Sequence, residues 1–163
     1  MNHYAEKAVA LLLEKKLKIA TAESCTGGLA AKMITDVSGA SAVFDCGIIS
    51  YSNEIKKSVL GVSDETLKNF GAVSEQTVRE MSKGVRRISG ADISVAISGI
   101  AGPASDDTNK PVGLIWLAVN YKGNITTKKL TNQFDVNIRE NNRNSAANEA
   151  FKLVCAVIDE KAV

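Results

Sequence analysis

Histidine is almost missing from this chain, which has one, His3, in an amino-terminal segment of the kind that frays. That argues against a Ser-His-Asp or Cys-His catalytic arrangement, so any nucleophile needs another base. Two prolines leave no room for Pro-rich linkers. Cys25, Cys46 and Cys155 are odd in number and share no Cys-x-x-Cys spacing. They argue against a disulfide framework and a zinc site, and read as reduced thiols. No apolar run approaches the ~20 residues of a membrane span. The stretch Met1-Asn2-His3-Tyr4-Ala5-Glu6-Lys7 lacks the basic-then-apolar build of a signal peptide, so the expected location is cytoplasmic, with no membrane partner. An excess of one charge sign is missing too: 20 Lys and Arg against 18 Asp and Glu leave +2. The pairs Lys15-Lys16, Arg86-Arg87 and Lys128-Lys129 read as solvated faces, and no nucleic-acid partner is expected.

What is present is an ordinary globular balance, 45% hydrophobic and 23% charged. A chain of this length is expected to form one domain over residues 1–163 and to bury roughly 70% of its unfolded surface. Val9, Leu12, Leu13 and Leu17 share a helical face, after which 18–22 reads as a short strand. Residues 27–37 return to helix with Ala30, Met33, Ile34 and Val37 on one side, ended by Gly39. A β-rich run spans 43–52, and a short helix 53–60. Ser63 and Ser74 cap two more helices, the second with Val78, Met81, Val85 and Ile88 on its buried face and Gly90 as its stop. Residues 92–97 form an apolar strand. Strands at 112–121 and 125–130 are joined by a hairpin at Lys122-Gly123-Asn124. A last helix from about Ile138 to Glu160 buries Ala147, Ala150, Phe151, Val154 and Ile158. The order predicts an α/β fold, a three-layer α/β/α sandwich with a mixed, mostly parallel sheet.

Chemistry concentrates where the first strand becomes a helix, at Thr21-Ala22-Glu23-Ser24-Cys25-Thr26-Gly27-Gly28. Ser24 fits a helix N-cap, and it equally fits a nucleophile. Gly27 and Gly28 let backbone approach a ligand, while free amides at a helix N-terminus can hold an anion or oxyanion. The lack of a Gly-Lys-Ser/Thr sequence excludes a Walker A loop. Cys25 competes as nucleophile, with burial as a small apolar group its plainer role. Lys56 is the best candidate base, since Tyr51 at a strand end and Lys56 in the next helical turn can face one cleft. It is otherwise a solvated lysine. To act near neutral pH its pKa must fall from ~10.4 to roughly 7 to 8. Ser98-Gly99-Ile100-Ala101-Gly102-Pro103 follows a buried strand, where α/β folds gather ligands, but also suits a tight turn. Arg139 and Arg143, four apart, share a helix face suited to carboxylate, phosphate or solvent.

Five blocks in register carry a resemblance: Thr-Ala-Glu-Ser-Cys-Thr-Gly-Gly at 21–28, Tyr-Ser-Asn-Glu-x-Lys at 51–56, Gly-Ala-Val-Ser-Glu at 71–75, Ser-Gly-Ile-Ala-Gly-Pro at 98–103 and Lys-Pro-Val-Gly at 110–113. In these the chain resembles the CinA C-terminal domain family, whose characterised activity is nicotinamide mononucleotide deamidation. Larger members add an N-terminal domain, so the length resembles the stand-alone deamidases. The resemblance implies a serine amidohydrolase of pyridine nucleotide salvage and NAD metabolism, with Ser24 as nucleophile and Lys56 as base. It places Tyr51 and Ser98 in the same hydrogen-bonded cluster and implies that no metal or cofactor is required. The turn residues Cys25, Thr26, Gly27, Gly28, Gly99, Ile100, Ala101 and Gly102, with Arg143 first and Arg139 second, are implied to bind substrate. A homo-oligomer, a dimer first, is expected. Two blocks depart from the family: residues 104–109 are acidic where it is glycine-rich, and Val136-Asn137-Ile138-Arg139 replaces Gly-Asp-Arg before the last helix. Intact Ser24 and Lys56 favour the enzyme; the altered 104–109 loop favours the alternative, a nucleotide-binding or interaction module that does not turn over.

Overall fold

The computed structural model describes residues 3–105 and 108–160. Five strands, β1 (Ile19–Glu23), β2 (Phe44–Ile49), β3 (Ile93–Gly99), β4 (Leu114–Tyr121) and β5 (Asn124–Thr131), form one sheet in the order β2-β1-β3-β4-β5. β2 and β3 both lie parallel to β1, while β3–β4 and β4–β5 are antiparallel, so only β4 runs against the rest. β1 and β3 are buried nearly throughout, as central strands covered on both faces must be. β4 and β5 close through Lys122 at φ 51° and Gly123 at φ 98°, two left-handed residues whose twist suits a tight hairpin.

Helices cover the two faces differently. α1 (His3–Lys15), α2 (Leu29–Thr35) and α6 (Ile138–Glu160) pack on one side, where Leu12, Ile34, Phe151 and Val154 meet Ile19, Val95, Ile97 and Leu117. α5 (Glu75–Ser89) covers the other, with Val78, Met81 and Val85 against Ala20, Ala22, Ala96 and Ala118. The small strand residues let α5 approach closely. Its Gly84 is where a Cβ would strike the backbone of Leu60, just after α3 (Asn53–Ser58). α4 (Asp64–Phe70) completes that side. These layers are the α/β/α sandwich of the sequence analysis.

Three details correct it. Gly39 does not end α2, which stops at Thr35; with φ 87° it opens a single 3-10 turn, Ala40–Ala42. Leu13 and Ile88, expected on buried faces, are 40% and 47% exposed. α1 buries Leu12 and the core beneath α5 ends at Val85. The Ser63 and Ser74 caps form as expected, accepting from the amides of Thr66 and Thr77, and Ser52 caps α3 through the amide of Ile55.

Candidate active site

β1 is followed by α2 and then β2 on one side of it, while β3, reached through three helices, pairs on the other. Parallel connections that diverge in this way open a crevice at the carboxyl ends of the strands. Ser24 leaves β1 at that crevice and Ser98 and Gly99 leave β3 beside it. The Ser24 amide donates to the Ile97 carbonyl at 2.9 Å, which pins the Ser24 turn to β3. A cleft of about 310 Å³ results, floored by Ser24, Cys25, Lys56 and Ser98, and walled by Gly99, Ile100, Ala101 and Gly102. Tyr51, Ala72, Val73 and Arg139 stand at its sides.

Lys56 is 1% exposed, and the solvated role is excluded. Its Nζ lies 2.9 Å from Ser24 Oγ, and donates to the carbonyl of Ser50 at 2.6 Å and of Tyr51 at 3.4 Å. Burial pushes the amine down from 10.5 to about 8. As an ammonium, Nζ donates to Ser24 Oγ as well as to the two carbonyls; a neutral amine that keeps its two N–H donors on the carbonyls has its lone pair left for the serine hydroxyl. Cys25 is the opposite case. Burial pushes its thiol up to about 12, so it holds its proton and lacks the thiolate that nucleophilic attack requires.

The remaining candidates separate by position. Ser98, 1% exposed, donates through its hydroxyl to the Ala72 carbonyl at 2.7 Å rather than to Lys56 or Ser24. Lys110, in the Lys-Pro-Val-Gly block, donates to the carbonyls of Phe70 and Val73 and so fastens the loop that supplies Ala72. The Tyr51 side chain is exposed, and its hydroxyl accepts from Arg139 at 2.9 Å. Arg139 also donates to the Gly102 carbonyl. The cleft edge therefore belongs to Arg139. Arg143, placed first on sequence spacing, donates instead to the Thr26 carbonyl at 2.7 Å, in the turn that follows Ser24. Residues 104 and 105 reach the cleft; residues 106 and 107 of the acidic segment lie outside the described residues.

Thr26, Gly27 and Gly28 are not part of the cleft wall. Thr26 is fully buried. Gly27 and Gly28, at φ 58° and 95°, turn the chain into α2. The helix amides expected to hold an anion are already occupied. The carboxylate of Glu23, 1% exposed, accepts from Gly28 at 3.0 Å, Ala30 at 3.0 Å and Ala31 at 2.8 Å. The sequence reading gave Glu23 no role. Its signal was an acid ending an apolar strand, five residues before a glycine at a helix start. Among the described residues, no group of three His, Cys, Asp or Glu side chains could hold a metal ion, and no helix is long and apolar enough to cross a membrane.

Residues 1–158 match the model of the CinA C-terminal domain family. A CinA-like protein of Akkermansia muciniphila is 52% identical over 126 residues, 77% of this chain and 30% of that protein. A CinA-like protein of Thermotoga neapolitana is 49% identical over 123 residues, 76% of this chain and 30% of that one. The chain thus spans about 30% of the length of the curated relatives it matches. Among solved structures, a competence-damaged protein (CinA) superfamily protein from Klebsiella pneumoniae superposes with a TM-score of 0.93 at 34% identity, covering 98% of both chains. The competence/damage inducible protein from Agrobacterium tumefaciens gives 0.89 at 38% identity, over 95% of this chain and 93% of that one.

Proposed function

The chain belongs to the CinA C-terminal domain family, and from that membership and the cleft chemistry we propose that it is a nicotinamide mononucleotide deamidase working through Ser24 and Lys56. The observation that carries this is the 2.9 Å approach of a buried, neutralisable lysine to a serine hydroxyl. Neutral Lys56 takes the Ser24 proton as Oγ attacks the carboxamide carbon of the substrate. The tetrahedral intermediate collapses, the lysine returns the proton to the leaving nitrogen, and ammonia departs. Water, activated by the same amine, then cleaves the acyl-enzyme to nicotinate mononucleotide. Arg139 at the cleft edge offers a planar cation for the phosphate. To do so it must exchange its hydrogen bond with Tyr51 for one with the ligand.

Incubation with nicotinamide mononucleotide is expected to release ammonia and nicotinate mononucleotide in equal amounts, and the Ser24→Ala variant neither. Saturable nucleotide binding without ammonia release would favour the non-catalytic module instead.

A further inference from the structure

The Ser24 turn is held by a buried charge that does not touch the cleft. Glu23 ends β1, and its side chain passes to the start of α2, where the N-cap position is Gly28, a residue with no side chain to cap with. Four donors converge on the one carboxylate: the amides of Gly28, Ala30 and Ala31, and the Thr21 hydroxyl at 3.3 Å. Burying a carboxylate is costly unless it is fully hydrogen-bonded, and here donors and the positive end of the helix dipole compensate it. The geometry closes a ring. Residue 23 is tied to residues 28, 30 and 31, so the segment Ser24-Cys25-Thr26-Gly27 is clamped at both ends, with the Ser24 amide on Ile97 and the Thr26 carbonyl on Arg143.

We infer that Glu23 is a positioning residue which, by anchoring α2 to the end of β1, keeps Ser24 Oγ in line with the amine of Lys56. A neutral cap on a surface helix would only add stability. This one sits next to the nucleophile, and loss of its charge releases the turn that sets the 2.9 Å Ser24–Lys56 distance. It also occupies the anion-binding end of α2, so the phosphate of any nucleotide must be met elsewhere on the cleft. The inference rests on the part of that reading in which Ser24 is the nucleophile of the cleft, whichever amide it attacks.

The test uses two readouts on the folded chain: ammonia release from nicotinamide mononucleotide, and the second-order rate at which a fluorophosphonate labels Ser24. Glu23→Gln keeps the shape but turns one oxygen into an NH2 that faces amide donors. It is expected to lower both kcat and the labelling rate by about 10²-fold, with KM little changed, since a small displacement of reacting groups has that effect. Thr21→Val removes one hydrogen bond to the carboxylate and is expected to slow labelling by about threefold; it decides the matter if Glu23→Gln does not fold. Both variants are compared below their melting temperatures. Unchanged labelling in a folded Glu23→Gln, or in Thr21→Val where Glu23→Gln does not fold, overturns the inference, as does a wild-type chain that does not label. A wild-type chain that labels but releases no ammonia, with labelling slowed in Glu23→Gln, would instead sink the deamidase proposal and leave the positioning role standing.

Discussion

Ser24 and Cys25 are neighbours in the same turn, yet their surroundings give them opposite chemistry. The serine faces a buried amine, whereas the cysteine, pushed up to about 12, keeps its proton at any physiological pH. Ser24→Ala is therefore expected to abolish ammonia release and Cys25→Ser to leave most of it, measured as kcat on purified variants. Lys56 at about 8 is mostly protonated at neutral pH, so kcat/KM should rise about tenfold per pH unit below 8 and level off above it. The same shift bears on stability. Its folded value lies below its ordinary 10.5, so between about pH 8 and 10.5 the unfolded chain holds the proton and the folded chain does not, and stability rises with pH across that window. Below pH 8 the full cost of burying the ammonium applies, up to ~3 kcal/mol. Lys56→Met should thus lower kcat by ~10²–10⁴-fold and flatten the rise of the melting temperature between about pH 8 and 10.5, whereas its melting temperature at pH 7 balances the ammonium's lost cost against the Ser50 carbonyl left without its donor. A variant that keeps the full alkaline rise would contradict this account. The two arginines should separate in kind: Arg139→Ala mainly raising KM, Arg143→Ala lowering kcat as the Thr26 carbonyl is released.

At the level of elements, the site depends on how closely α5 approaches the start of the loop after α3. Gly84 faces the Leu60 backbone with no space for a methyl group, although alanine is the better helix former. Gly84→Ala is expected to destabilise the fold by roughly 1–3 kcal/mol through overpacking, read by denaturant unfolding. If it stabilises the chain, the close approach is not what fixes α3 and Lys56 in place. Ser74→Ala, by contrast, removes the cap on the amide of Thr77 together with the hydroxyl's bond to the Gly71 carbonyl, and should cost about 1–2 kcal/mol. These elements were legible in sequence because each is set locally: apolar spacing marks α5 and α6, and Ser63 and Ser74 sit where helices begin. Boundaries that depend on a distant partner were not. α2 begins at Leu29 rather than Gly27, because the chain turns through Gly27 and Gly28 at φ 58° and 95°, a turn that the Glu23 carboxylate holds from the end of β1.

Across the whole molecule, the sheet brings together pieces far apart in the chain, with Ser24 from β1, Lys56 from α3, Ser98 from β3 and Arg139 from α6 meeting at one crevice. Because the proposed proton transfers run through these side chains alone, ammonia release should survive exhaustive chelation, measured before and after EDTA with divalent metals added back. The sequence by itself determined the alternation of helices and strands, the mixed sheet, and the candidates for nucleophile and base. Periodicity, capping and the scarcity of histidine are properties of short segments or of composition, and need no partner to act. Tertiary structure decided the rest. Whether Lys56 is a solvated cation or a buried base is set by what covers it, and by Ser24 reaching it across 32 positions. Arg139 and Arg143 lie four residues apart on one helix, and the order that sequence spacing gave them is reversed by the packing of α6 against the loops, which sends Arg139 to the cleft and Arg143 to the Thr26 carbonyl. Glu23 became visible last of all, because a carboxylate shows its function only through the donors that the folded chain brings to it.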